Sequence, residues 1–161
     1  VDGKIHVKAI TYNPVNKKRS ITSDEKFEIS RKDWSIVGIN NNKNYPAIDG
    51  DIYSSSEESK VPGYITIDLG KELLISGFKF LPAQHFWNSG SIVTHYRFSV
   101  SNDLNTWDTL SEGEFANIFN NPDWQIKTFK PIKTRYIRLT ALTTSSAEAN
   151  PRFAEIDIIT E

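Results

Sequence analysis

Apolar residues in this chain recur at every second position and hold helical spacing in no window longer than a turn or two, a pattern that restricts the fold more than any other feature. Within residues 64–69, Ile65, Ile67 and Leu69 fall on one face while Thr66 and Asp68 fall on the other. Within residues 94–101, Tyr96, Phe98 and Val100 form the inward set and leave His95, Arg97 and Ser99 outside. The clearest strands are residues 64–69, 75–81, 93–101, 125–130, 135–142 and 154–159, each bounded by Gly, Pro, Asn, Asp or Ser clusters that supply turns. Many short strands and abundant turns predict an all-β fold, an antiparallel β-sandwich of the jelly-roll kind.

Electrostatics names no partner for this sandwich. The 161 residues carry 19 Lys and Arg against 20 Asp and Glu, a formal net charge of -1, so no overall field draws nucleic acid or an anionic membrane. The absence of cysteine removes thiol catalysis, disulfide scaffolding and Cys-based zinc sites, and leaves the compartment unread from redox chemistry. No apolar run reaches the ~18 residues of a membrane span, and the first residues lack the pattern of a signal peptide. With no methionine at its start or elsewhere, the chain reads as a piece of a longer protein.

Residues 1–29 look different from the rest. Ile5, Val7 and Ala9 alternate with Lys4, His6 and Lys8, and a polar, basic connector over residues 13–23 leads to Phe27 and Ile29. This stretch reads either as an N-terminal arm or the end of a preceding domain, with the sandwich over residues 30–161, or as a first strand pair of the sandwich.

Two groups of residues stand out chemically. Trp87, in Gln84-His85-Phe86-Trp87-Asn88, and Trp124, after Asn120-Asn121-Pro122-Asp123, are large aromatics in polar loops between confident strands. An indole can pack against the C–H face of a sugar while amides and basic side chains bond its hydroxyls, or it can fold back and cap the sandwich. The turn Asp49-Gly50-Asp51 either caps its own backbone or presents hard oxygens to a cation. Catalysis finds little support: His6, His85 and His95 show no metal-triad spacing, and no opposed carboxylate pair is nominated for glycoside cleavage.

Six segments carry a wider likeness: Lys32-Asp33-Trp34-Ser35-Ile36-Val37, Ala47-Ile48-Asp49-Gly50-Asp51, residues 62–70, Phe98-Ser99-Val100-Ser101-Asn102-Asp103 with Trp107, residues 134–139, and Ala154-Glu155-Ile156. In this order and spacing the chain from Ser30 onward resembles the discoidin-like (coagulation factor 5/8 type C) domains, and among them the family-32 carbohydrate-binding modules of bacterial glycoside hydrolases, with fucosidase- or chitobiase-type parents. The resemblance implies a galactose-binding-like sandwich without catalytic activity, in a secreted, periplasmic or surface protein. It implies a structural calcium ion held by Asp49, Asp51, Ser54 and Glu155 with the carbonyls of Ala47 and Ala154, and core roles for Trp34 and Trp107.

Such a module binds a glycan, expected here to be a terminal monosaccharide, through Gln84, His85, Trp87, Asn88, Trp124 and Arg152, and holds a covalently attached catalytic domain near it. The alternative is an adhesion, protein-interaction or membrane-binding discoidin domain. The chain departs from the family where Ser54 and Ser56 replace a Thr and a Trp after Asp51, and where Ala83 and Gln84 follow Pro82 in place of an Arg.

Overall fold

The computed structural model describes residues 5–27, 29–39, 45–85 and 90–160. These fall into two compact units, Val1–Ser30 and Arg31–Glu161.

In the first unit β1 (Ile5–Ala9) pairs antiparallel with β4 (Ser23–Phe27), Ile5 opposite Phe27 and Ala9 opposite Ser23, as a two-stranded sheet of its own. The segment read as a connector is ordered by local bonding. β2 (Tyr12–Asn13) and β3 (Lys18–Arg19) pair across a tight turn. There Asn13 Oδ1 accepts the amides of Val15 at 2.9 Å and Asn16 at 3.3 Å, the side-chain-to-backbone pattern that makes Asn a turn former.

The second unit is all β, with no α-helix among the described residues. Its strands are β5 (Ser35–Ile36), β6 (Ser56–Glu57), β7 (Gly63–Pro82), β8 (Val93–Ser101), β9 (Asp108–Glu114), β10 (Gln125–Thr144) and β11 (Arg152–Thr160). They hydrogen-bond in the order β6-β11-β7-β10-β8-β9, with β5 added on β7, and every strand pair is antiparallel.

The sequence pattern predicts two separate strands where β7 runs unbroken for 20 residues, and again where β10 does. Strands of this length far exceed the usual five or six residues and must bend. The β7–β10 register shifts between Thr128 and Ile132 and again between Thr134 and Tyr136, and Gly70 turns with φ of +77°. A Cβ on Gly70 would lie 2.8 Å from the Asp33 carbonyl oxygen, so the bend needs a residue without one.

Folding at these bends stacks one half of the sheet on the other. Phe78 of β7 lies flat against Phe98 of β8, a strand it does not pair with, at 4.3 Å between centroids and 4° between planes. Phe115 stacks on Tyr96 at 4.2 Å and on Phe80 at 5.1 Å. Each such ring stabilises the fold by about 1.5–3 kcal/mol through burial, and offset stacking adds about 0.5–1.5 kcal/mol.

The alternation expectations hold for the apolar sets and fail for two polar residues. Ile65, Ile67, Leu69, Tyr96, Phe98 and Val100 are buried, but so are Thr66 and Ser99. Thr66 is covered by Arg138, whose Nε donates to its hydroxyl at 2.8 Å, and Ser99 sits under the edge strand β9, 3.3 Å from the Thr109 hydroxyl. Trp34 is a core residue as expected. Trp107 is not: it is half-buried on the outer face, its Nε1 donating to the Leu104 carbonyl and its ring 3.9 Å from the Arg138 guanidinium.

Candidate functional site

Because β7 and β10 fold back on themselves, both ends of each strand return to one pole. Pro82 pairs with Phe153 and Gln125 with Phe80, Thr144 pairs with Val93, and a Cβ on Gly63 would meet Pro151 at 2.8 Å. The loop residues 45–62, 83–85, 90–92, 115–124 and 145–151 are thereby gathered together.

Trp124, for which the sequence left open a sugar-facing ring or a cap on the sandwich, is exposed at 37%. It lines an open hollow of about 320 Å³ with Ile52, Leu81, Gln84, Asn121, Pro122 and Asp123. Gln84 braces this wall: its Nε2 donates to the Pro82 carbonyl at 2.7 Å and to the Pro122 carbonyl at 2.9 Å, tying the loop after β7 to the loop before β10. Both amide hydrogens are consumed, so Gln84 offers a ligand its Oε1 as an acceptor. The Asp123 amide donates to the Asn121 carbonyl at 2.8 Å, and Asp123 Oδ1 accepts the Trp124 amide at 2.7 Å, which sets the carboxylate beside the indole.

His85 Nε2 donates to the Tyr53 carbonyl at 3.1 Å, with the two rings 6.5 Å apart. Arg152, at the start of β11, does not stand as a free donor: it is paired with Glu57 and reaches Ser55 Oγ at 3.5 Å. Glu57 also accepts from the Asn150 amide at 2.9 Å. Trp87 and Asn88 lie outside the described residues.

Sequence reasoning missed the segment over 52–57 that links these groups. Ile52 lines the hollow, Tyr53 meets His85, and Ser55 and Glu57 hold Arg152. Tyr53 is a further exposed aromatic at this pole. Its only signal in the sequence is an aromatic two residues after the acidic turn Asp49-Gly50-Asp51.

The acidic turn and the C-terminal strand do meet. Ala47 takes a left-handed φ of +96°, bridges Glu155, and accepts the Ile156 amide at 2.8 Å on its carbonyl. Asp49 accepts the Asp51 amide at 2.8 Å and the Ser54 hydroxyl at 2.9 Å. Glu155, 1% exposed, accepts the Gly50 amide at 2.7 Å and Arg31 Nη1 at 2.5 Å. Burial pushes its carboxyl above the ordinary range; Arg31 pulls it back, and the neighbouring Asp49 adds to the rise.

Asp49, Ser54, Glu155 and the Ala47 carbonyl form an all-oxygen set of the kind calcium accepts. Asp51 instead turns its carboxylate to the Tyr53 amide at 3.0 Å, Ala154 is buried in β11, and no three acidic or histidine side chains converge among the described residues. Arg31, unforeseen from the sequence, brings a positive charge to Glu155 from 124 residues away.

Comparison with known proteins places this architecture. A curated relative, galactose oxidase of Gibberella zeae, is 26% identical over 140 residues covering 81% of this chain and 20% of that protein, so the chain spans about one-fifth of the relative's length. Among solved structures, CpGH89CBM32-5 from Clostridium perfringens, in complex with GalNAc-β-1,3-galactose, superposes with a TM-score of 0.67 at 22% identity over 81% of this chain and 97% of that one. The CBM32 of AlyQ, in complex with 4,5-unsaturated mannuronic acid, does so with a TM-score of 0.63 at 21% identity over 78% and 92%. These likenesses carry the fold: a galactose-binding-like β-sandwich. Residues 35–156 match the family described as F5/8 type C domain, and the chain belongs to that family.

Proposed function

We propose that this chain is a carbohydrate-binding module whose gathered loops take a terminal monosaccharide and so hold an attached catalytic domain near its glycan outside the cell. As a discoidin-type module it is not itself an enzyme. The observation that carries the reading is Trp124, an exposed indole lining a shallow hollow whose other polar groups, Gln84, Asn121 and Asp123, suit a polyhydroxyl ligand. Solved neighbours of the same fold hold GalNAc-β-1,3-galactose and unsaturated mannuronic acid, which supports it.

An open hollow buries little of a ligand, so affinity for one sugar is expected near ~0.1–1 mM, about 4–5.5 kcal/mol. Loss of a stacking ring costs about 1–3 kcal/mol by analogy with bases stacked on aromatics. Trp124→Ala should therefore keep its melting temperature and lose calorimetrically detectable binding to the best ligand of a glycan array. Binding at wild-type strength by this variant would remove Trp124, and this hollow, from the site.

Asp49, Ser54, Glu155 and the Ala47 carbonyl are the residues that would hold a structural calcium ion; Asp51 would join them only by giving up its bond to the Tyr53 amide. Anything that binds the folded state alone stabilises it by mass action. Millimolar calcium should raise the melting temperature and EDTA should reverse the rise; identical melts in both would sink the calcium reading and leave Arg31 as the counter-charge to Glu155 among the described residues.

A further inference from the structure

We infer that the hollow beside Trp124 selects among sugars by charge, accepting neutral and amino sugars and rejecting those that carry a carboxylate, with Asp123 as the deciding residue. This rests on the reading of these loops as a carbohydrate site. Among the described residues that line the hollow, Ile52, Leu81, Gln84, Asn121, Pro122, Asp123 and Trp124, the one ionisable side chain is Asp123. The other fixed polar function there is also an acceptor, since both Nε2 hydrogens of Gln84 are spent on the Pro82 and Pro122 carbonyls. Arg152, the cation nominated for this pole, offers no compensating charge because Glu57 and Ser55 already hold it.

Hydroxyl and ammonium groups donate into such a wall, whereas a ligand carboxylate would face a like charge and the Gln84 acceptor, with only the neutral N–H donors of Asn121 and Trp124 to meet it. The AlyQ neighbour, in complex with 4,5-unsaturated mannuronic acid, has this fold and holds an acidic sugar, so the fold alone does not exclude one. The wall is also fixed in advance. Trp124 donates its amide to Asp123 Oδ1 at 2.7 Å, Gln125 Nε2 donates to the Asp123 carbonyl at 3.0 Å, and Gln84 braces Pro122, so the second carboxylate oxygen cannot easily swing away from an incoming anion.

The test is an NMR titration, read on the tryptophan indole resonances, with galactose, glucose and mannose, each as the neutral sugar, the 2-amino-2-deoxy sugar and the uronic acid. For whichever ring binds, the uronic acid should be about five- to tenfold weaker than the neutral sugar at low salt, and the amino sugar at least as tight as the neutral one. The gap should shrink at about 0.5 M salt, where the screening length falls to a few ångströms. Asp123→Asn keeps the oxygen that accepts the Trp124 amide and removes the charge, so it should bring all three forms within about twofold of one another, a change that loss of loop shape would not produce.

A uronic acid bound as tightly as its neutral counterpart, or an order that D123N leaves unchanged, overturns charge selection and leaves the carbohydrate reading standing. The salt dependence on the wild type decides the matter if D123N fails to fold. If no sugar in the panel shifts any indole resonance, the carbohydrate reading itself falls, and this inference with it.

Discussion

Asp68 and Arg135 show how a single contact ties stability to pH. Arg135 Nε and Nη2 each donate to Asp68 at 2.9 Å, a two-point fork, and the Gly70 amide adds a third bond at 2.8 Å. Partial burial alone would raise the Asp68 carboxyl, but the Arg135 hydrogen bonds, the Gly70 amide and the arginine charge outweigh it and hold the group below the ordinary carboxylate range. A carboxyl lowered in the folded state contributes stability fully above the ordinary carboxylate range, and that contribution is lost as pH falls through the folded-state value. Asp68→Asn should therefore lower the melting temperature near pH 7, by an amount corresponding to at most about 1 kcal/mol since Arg135 is exposed to solvent screening. The two proteins should converge in strong acid. A constant offset at every pH would assign the loss to packing and not to charge.

The sequence read individual residues unevenly for a related reason. The family resemblance gives Trp34 and Trp107 core roles; Trp34 is buried, whereas Trp107 is half-buried on the outer face. Arg31 meets Glu155, and Arg138 covers Thr66 and lies beside Trp107, only because strands distant in sequence pack together. Contacts at separations of 124 and 72 residues leave no periodic trace.

At the level of elements, β7 and β10 decide the architecture. The alternation pattern finds both halves of each strand, yet it cannot show that hydrogen bonding continues through the bend, because the polar residues Lys71 and Glu72 interrupt the apolar period that defines a strand in sequence. Edge strands β5 and β6, two residues each, are too short to establish a period at all.

The close approach of β7 and β10 leaves its own test at Gly77. A Cβ there would lie 2.5 Å from the Lys127 carbonyl oxygen and 3.0 Å from Ile159 Cδ1, so backbone as well as side chain would have to yield. Gly77→Ala should destabilise the fold by about 1–3 kcal/mol, the usual cost of overpacking a well-packed interior, seen as a lower urea midpoint with an unchanged slope. Wild-type stability in this variant would mean that the two strands do not run so close.

At the largest scale, the unit Arg31–Glu161 is a sandwich that gathers several of its loops at one pole. The all-β class and the exposure of Trp124 are legible in the chain, because period and composition are local properties. The assembly of the pole is not, because it depends on the fold-back of two strands and on a segment, residues 52–57, whose role emerges only when Gln84, His85 and Arg152 are seen to converge on it. The brace that Gln84 makes between Pro82 and Pro122 also has a consequence for time. A wall built before its ligand arrives imposes no slow closing step, so association can run at about 10⁵–10⁷ M⁻¹s⁻¹, and with millimolar to submillimolar dissociation constants each sugar would depart within about 0.1 ms to 0.1 s. Such a contact is renewed many times a second, and a tethered partner would be free to move along a glycan surface between one encounter and the next.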